Sequence, residues 1–566
     1  MRKHRFAVTA AAVALTLGVA LGVSVGDAAS GDREFASLQM IEEAFGIITQ
    51  NYVEPVDSNE LATDAIEGML AGLDPHSVFI PSDDMQEVRE AFDASFEGIG
   101  IFFEFIDAPE DRDTIAVLMP IAGGPSEEAG LQAGDRIVQI DDTTAIGFTS
   151  EQVQHYLRGP RGTRVSVSVV RRGFRQPMSF TITRDRIPLE TVVAAYMVDG
   201  QTGYIKLQRF ARTSHQELLD AMSDLRAQGM QRLVLDLRGN AGGLLEQAYR
   251  IADEFLPAGA GVVSTRGRMP SNNRSYAATR DGTFETQPLI VLVDENSASA
   301  SEIVAGALQD HDRALVVGRR TFGKGLVQQQ FALSDGSVVQ MTISRYFTPS
   351  GRLIQTPYEV GHDAEEYLAA KRAIRAQLED RLVSTNGLVD VSRIAADVPD
   401  SLKYRTDHGR TVFGGGGILP DYLVRLDTLA PAVRTVIANS LDGEYARVLL
   451  DRLGPAFRTQ WADRQTEFVS GYRLDDAAFD GLLEYAPTRD VQVVATAPAR
   501  ADTTQNVLAR DDARAHRDEI EVRIRAYMAR RLYGVEAFYP VVATLDDELN
   551  EAMRLWDQAA ALAEAR

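Results

Sequence analysis

Two stretches, "RLVLDLRGNAGG" (Arg232–Gly243) and "PLIVLVDE" (Pro288–Glu295), place apolar residues side by side, without the alternation of a half-exposed strand. Runs of this kind, bounded by glycine or polar turns, read as buried strands. Around them the pattern alternates. "GYIKLQRF" (Gly203–Phe210) and "ALVVG" (Ala314–Gly318) read as further strands. Ser214–Gln228, Leu244–Leu256 and Ala300–Gln309 carry helical spacing, and "GSVVQMTISRYFTPSG" (Gly336–Gly351) reads as a strand. Strands and helices in alternation indicate an α/β domain.

At 566 residues the chain is too long for one core, and about three to four domains are expected. Arg2, Lys3, His4 and Arg5 precede an uncharged stretch, Phe6–Gly26. This has the form of an export signal, and its length also suits an uncleaved membrane anchor. The bulk of the protein is therefore expected outside the cytoplasm, in the periplasm or its equivalent. Phe35–Tyr52 and Leu61–Leu73 carry helical spacing, and "LDPHSVFI" (Leu73–Ile80) ends the second helix at a proline turn. From about residue 95 short strands with glycine turns take over. "FEGIGIFFEF" (Phe96–Phe105), "AGLQAGDRIVQID" (Ala129–Asp141), a helix near Thr149–Leu157 and "TRVSVSVVRR" (Thr163–Arg172) follow in the order of a circularly permuted PDZ domain, which this region resembles. The loop Gly98-Ile99-Gly100-Ile101 then matches the position where such domains hold a peptide's terminal carboxylate. Glycines there let successive amides converge on an anion, and the peptide adds as a strand to a sheet edge. A plain hairpin of small residues is the alternative reading of the loop alone.

A net charge of −23 argues against nucleic-acid binding and against docking on anionic lipid through a basic face. With no cysteine there is no disulfide, thiolate metal site or thiol catalysis. The histidines show no metal-ligand spacing, and no His-Glu-x-x-His motif occurs.

"DENSASASEI" (Asp294–Ile303) holds three serines spaced two apart, between a buried strand and a helix. Ser299 falls at the turn, where a hydroxyl can be presented at a helix N-terminus beside the Ala300 amide. Ser299-x-x-Glu302 is equally a capping box, and serine ahead of a helix is commonly just a cap. A base would tip the balance. His311 lies a helix length away and reads as a surface residue. The chain has only five lysines among 58 basic residues. One of them, Lys324, stands between glycines in "RRTFGKGLVQQQ" (Arg319–Gln330). Where only positive charge is needed arginine serves, but a residue that must become neutral has to be lysine. An ordinary lysine is neutral in about one molecule in 2,500 at pH 7, so a base here needs burial to lower its pKa. Serine with lysine is an established variant of the hydroxyl-plus-base arrangement.

Taken together, "LDLRGNAGG", the run from "VLVDENSASASEI" to "GRRTFGKGLVQ", "SRYFTPSGRLIQ" and "GGGGILPD", behind the PDZ-like region and the helix ending in "LDPHS", closely resemble the carboxyl-terminal processing (tail-specific) proteases. The resemblance covers about residues 35–357 and 409–424. It implies Ser299 as nucleophile, Lys324 as general base and Gln328 as the group that orients the lysine. It also implies an oxyanion hole from a backbone amide of Gly242 or Gly243 together with that of Ala300. No metal or other cofactor is implied. The expected partners are polypeptides with free apolar C-termini, and a homo-oligomer is compatible with the sequence. The alternative functions are a non-catalytic PDZ scaffold, against which both Ser299 and Lys324 are present, and a Ser-His-Asp esterase, for which no Gly-x-Ser-x-Gly elbow occurs.

The expected architecture is thus mixed α/β and multidomain. It comprises a signal or anchor (1–29), an N-terminal helical region (30–92), a permuted PDZ domain (93–186) and a protease core (187–357). A helical insertion (358–408), a return to the core (409–425) and a C-terminal helical extension (426–566) complete it.

Overall fold

The computed structural model describes residues 28–107, 113–121, 123–171, 173–358, 365–369, 371–372, 388–392, 398–425, 429–496 and 506–564. The apolar stretch 6–26 lies outside them, as does much of the insertion 358–408 expected to be helical. Among the described residues no helix is long and apolar enough to cross a membrane. The chain divides into two compact units, one of residues 1–79 and 360–363, the other of residues 80–359 and 364–566.

In the smaller unit two helices run over Ala28–Asn51 and Ser58–Ala71. The second is capped by Asp57, whose carboxylate accepts from the Asn59 and Glu60 amides. The following turn is built by Asp74, which accepts from the His76 and Ser77 amides and the Ser77 hydroxyl.

The larger unit contains the PDZ-like domain. Its sheet runs in the order Ile101–Asp107, Asp113–Pro120, Arg136–Ile140, Arg164–Val170, Met178–Thr183, with Thr143–Thr144 off Arg136–Ile140. Ile115, Ile137, Val153, Val165 and Val167 form its core. The chain enters and leaves through two antiparallel strands, Ser95–Gly98 and Asp185–Pro188.

The peptidase-like domain is organised around a seven-stranded sheet. Its order is Val192–Met197, Thr202–Leu207, Arg232–Asp236, Leu289–Val293, Leu315–Gly318, Tyr422–Val424, Leu388–Asp390. The five strands from Thr202–Leu207 to Tyr422–Val424 are parallel, and an antiparallel strand closes each edge. Every residue of Leu289–Val293 is buried, as the unbroken apolar run requires. On one face the helices Ser214–Ala227, Leu245–Asp253 and Ala300–Asp310 supply a core that includes Leu218, Ile251 and Val304. A second, antiparallel sheet joins Arg274–Ala277, Gly261–Gly267, Val338–Phe347 and Leu326–Ala332 in that order.

The insertion expected to be helical also contributes strands. Leu388–Asp390 pairs antiparallel with Tyr422–Val424, and Lys403–Arg405 pairs with Thr411–Phe413. The C-terminal region does two different things. Helices between Pro431 and Tyr533 enclose a core of their own around Tyr445, Leu449, Phe468, Phe479 and Ile524. Arg531 fixes this subdomain to the PDZ-like sheet through a paired ion contact with Glu104, at 2.9 and 2.8 Å. The last helices, Asp547–Ala552 and Trp556–Glu564, instead cover the second face of the seven-stranded sheet. There Leu549, Leu555 and Trp556 pack on Val234, Ile290 and Val317.

Candidate active site

Three loops leave the carboxyl ends of adjacent parallel strands, the place where open α/β sheets bind ligands. They are Leu237–Leu244, Asp294–Ser299 and Arg319–Gly325. The three serines of the middle loop have separate fates. The Ser297 hydroxyl is fully buried and donates to the Leu237 carbonyl at 2.8 Å. The Ser301 hydroxyl, also fully buried, donates to the Asn240 carbonyl at 2.8 Å. Both tie the serine loop to the glycine turn. Only Ser299 is partly open to solvent. Its backbone, at φ 54° and ψ −108°, is in a region that a side chain rarely adopts. Strain of this kind costs about 1–3 kcal/mol and persists where the surroundings impose it. Here it places Ser299 as the N-cap at the head of the buried helix Ala300–Asp310.

The capping reading is also correct in part. Glu302, fully buried, reaches back to accept from the Ser299 amide through Oε2 at 2.8 Å. The same oxygen accepts from the Lys324 amide at 2.8 Å, while Oε1 takes the Gly323 amide and the Thr321 hydroxyl, both at 2.6 Å. One carboxylate therefore holds the serine turn and the lysine loop together. Burial pushes its pKa up, and the four donated hydrogen bonds oppose that.

Lys324 donates from Nζ to Gln328 Oε1 at 2.8 Å, as the motif implies. The Gln328 oxygen also accepts from Gln340 Nε2 at 3.4 Å, which fixes its direction. The flanking glycines have steric reasons. A Cβ on Gly323, which has φ 85°, would lie 2.2 Å from Thr356 Oγ1, and one on Gly325 would lie 2.8 Å from the Gln355 amide nitrogen. The phenol of Tyr346, fully buried, lies within hydrogen-bond reach of the carbonyls of both Ser299 and Lys324, and its one O–H is shared between them. The serine and the lysine are thus bridged twice through their backbones, by Glu302 and by Tyr346.

The glycine turn completes the arrangement. A Cβ on Gly242 would lie 2.9 Å from the Ser299 Cβ and 3.0 Å from the Ala300 amide nitrogen, so the turn is in contact with the serine. The Gly242 amide donates to Asn240 Oδ1 at 2.9 Å. Among the described residues the Gly243 amide donates to no protein group. Of the two glycines, Gly243 is accordingly the one with a donor to spare. The amide of Ala300, at the first position of its helix, lacks an intrahelical partner in the same way.

His311 is not a surface residue as its flanks suggest. Its side chain is 12% exposed, with Nδ1 on Asp407 and Nε2 on the Gly261 carbonyl, both at 2.6 Å. It sits past the far end of the helix Ala300–Asp310, roughly 18 Å from the serine by helix rise, and is no base for it.

In the PDZ-like domain Gly98 ends one strand and Ile101 opens the next. Gly100 adopts φ 73°, where a Cβ would press on Ile187 at 2.9 Å. The carbonyls of Ile99 and Gly100 accept from the Ser126 and Ile121 amides, each at 3.0 Å. The Ile99 side chain is buried in the domain core rather than displayed at the surface. No hydrogen bond links this loop to the Ser299 turn among the described residues.

Sequence reasoning overlooks Tyr346, Asn240 and Gln340. Tyr346 lies inside the motif "SRYFTPSG", but nothing local says which carbonyls a buried phenol serves. Removing that phenol is a sharp test. Tyr346→Phe leaves the Lys324 carbonyl short of its donor, at about 1–3 kcal/mol, while the Ser299 carbonyl keeps the Ile303 amide at 3.0 Å, and it removes one bridge between the serine and the lysine. The expected result is a lower Tm and a kcat reduced about tenfold, with KM nearly unchanged. Wild-type kcat in a folded Tyr346→Phe protein would show that the bridge is idle.

Comparison with known proteins places the chain in a family. The peptidase family S41 model matches residues 201–365, a PDZ domain model residues 117–171, and a model of the activating protease CtpB N-terminal domain residues 22–84. The carboxy-terminal-processing protease of Bartonella bacilliformis is 37% identical over 325 residues, 57% of this chain and 73% of that protein. The chain belongs to the carboxy-terminal processing proteases of peptidase family S41.

As an S41 peptidase it is a serine-type hydrolase of peptide bonds with an attached PDZ domain. The carboxy-terminal processing protease CtpA of Bacillus subtilis is 33% identical over 328 residues, 58% of this chain and 68% of that protein. Among solved structures, a photosystem II D1 C-terminal processing protease shares 33% identity over 54% of this chain and 82% of that one, with a TM-score of 0.32.

Proposed function

We propose that this S41 peptidase cleaves exported or unfolded polypeptides near a free, apolar C-terminus, with Ser299 as nucleophile and Lys324 as general base. The observation that carries the reading is the half-open, strained Ser299 sharing one carboxylate oxygen of Glu302 with Lys324. Neutral Lys324 takes the Ser299 proton as Oγ attacks the scissile carbonyl. Gln328 accepts one N–H of the amine and so directs its lone pair. The amides of Gly243 and Ala300 receive the oxyanion, at about 3–4 kcal/mol per donor. Gly242 shapes the turn with its own amide committed to Asn240. Lys324 then protonates the leaving amine, and water hydrolyses the acyl-enzyme. The basic residues before Phe6–Gly26 support export, with the stretch serving as signal or anchor.

The PDZ loop Gly98–Ile101 is the proposed reader of the substrate carboxylate, with specificity for apolar tails from the side chains around Ile101 and Phe103. The test compares an unfolded protein bearing an apolar tail with its C-terminally amidated twin, using the Ser299→Ala protein as blank. Below KM the free acid is cleaved at least about tenfold faster, because recognition of the anion enters kcat/KM. Equal rates for the pair would remove the carboxylate from the recognition scheme. Cleavage by Ser299→Ala would remove the serine from the chemistry.

A further inference from the structure

The loops around Ser299 are joined by a second set of contacts, made by the far end of the chain. Arg238 opens the glycine turn and Arg319 opens the loop that leads to Lys324. Arg238, 13% exposed, pairs with Asp236, with Asp546 at 2.6 Å and with Glu548 at 2.8 Å. Arg319, 16% exposed, pairs with Glu295 at 2.6 Å and with the other oxygen of Glu548. Glu548 itself is 5% exposed. Each of its two oxygens therefore serves a different catalytic-side loop. The middle loop is drawn in as well. Asp294 accepts from the Gly239 amide at 2.9 Å, and Glu295 is the carboxylate on Arg319.

We propose that Asp546 and Glu548 are positioning residues for peptidase activity, a pair of tail-borne carboxylates that set the spacing between the glycine turn and the lysine loop. In the chain Asp236–Arg238–Glu548–Arg319–Glu295 the central link is the one member that comes from the C-terminal helices rather than from the sheet and its loops. Without it the two arginines keep partners within their own surroundings, and the turn and the lysine loop are coupled only indirectly, through Asp294 and Glu295 of the middle loop. Loss of the Glu548 charge removes the one contact the two guanidiniums share and leaves each held from its own side, by Asp236 and Asp546 or by Glu295, so each loop can shift independently. Catalytic geometry does not tolerate such movement, since a displacement of about 1 Å can cost 10²-fold. The inference rests on the Ser299–Lys324 reading for its kinetic consequence and not for its structural one.

The test uses the full chain with Glu548→Gln, which keeps size and removes charge. Leu555→Ala serves as control, since it weakens the same terminal packing on the sheet without touching either arginine. Both variants lower Tm. At a temperature where both are folded, Glu548→Gln loses at least about tenfold in kcat with KM within twofold, and Leu555→Ala keeps wild-type kcat. Glu548→Asp, which retains charge with shorter reach, recovers part of the loss. Amide hydrogen exchange in residues 237–244 and 319–325 rises at least about tenfold in Glu548→Gln alone, a readout independent of activity. Unchanged exchange in those segments overturns the proposal, and so does an equal kcat loss in the two variants. If Ser299→Ala retains activity, the catalytic assignment falls while the exchange result still decides the positioning role.

Discussion

Ser299→Ala and Lys324→Arg are each expected to abolish peptide cleavage, by about 10⁴-fold or more, the scale seen when one member of a nucleophile–base unit is removed. The arginine variant is the more informative. Arginine keeps the positive charge and comparable bulk but does not release its proton in proteins. A lysine serving only as an electrostatic anchor would be replaced with modest loss, whereas a general base would not. The structure adds a stability prediction that separates chemistry from folding. Ser299 occupies φ 54°, which glycine adopts freely. Ser299→Gly is therefore as inactive as Ser299→Ala yet raises Tm, by an amount corresponding to about 0.5–1 kcal/mol. A Lys324→Arg protein retaining a tenth of wild-type kcat would remove the proton-transfer role.

Gly243→Ala is expected to be nearly as damaging, for a steric reason. A Cβ there would sit 2.1 Å from the Phe210 carbonyl oxygen and 2.8 Å from its carbon, and φ 144° is itself unfavourable for alanine. The Phe210 backbone cannot yield easily. Its amide donates to the Gly242 carbonyl at 3.0 Å, and its carbonyl accepts from the Leu244 amide at 2.8 Å. The turn must move, and with it the Gly243 amide proposed to receive the oxyanion. Loss of one such donor costs about 10²–10³-fold in kcat. Gly239→Ala is the matched control. It also has a positive φ, 72°, but nothing lies within 4 Å of its Cβ. It is expected to cost about 1 kcal/mol of stability and to leave kcat within a few-fold. Equal activity of the two alanine variants would mean that the turn's position is immaterial.

What was legible in the sequence was what local pattern encodes. The apolar run Leu289–Val293 could only be a buried strand, and it is buried throughout. The lysine set between glycines in an arginine-rich chain pointed to Lys324, and its amine does meet Gln328. What stayed hidden depends on partners far apart in the chain. Glu548 lies in an unremarkable acidic helix, and nothing nearby indicates that its carboxylate meets Arg238, 310 residues away. The tail reads in the sequence as a C-terminal helical extension, with nothing to say what it covers. Its last helices supply Leu549 and Trp556 to the second face of the central sheet. His311 misled because a polar neighbourhood, "QDHDR", reads as surface, whereas its two ring nitrogens are consumed by Asp407 and the Gly261 carbonyl. Leu388–Asp390 was read as part of a helical insertion. An edge strand of three residues is too short to leave a periodic signal.

The most direct measurement is the mass of the acyl-enzyme. Wild-type protein mixed with an activated peptide ester and quenched in acid during turnover should carry one acyl group, recovered on the peptide containing Asp294–Ile303 and localised by fragmentation to Ser299. It should be absent from Ser299→Ala and from Lys324→Arg. An acyl group on Ser297 or Ser301, or full turnover by the Ser299→Ala protein, would contradict the account.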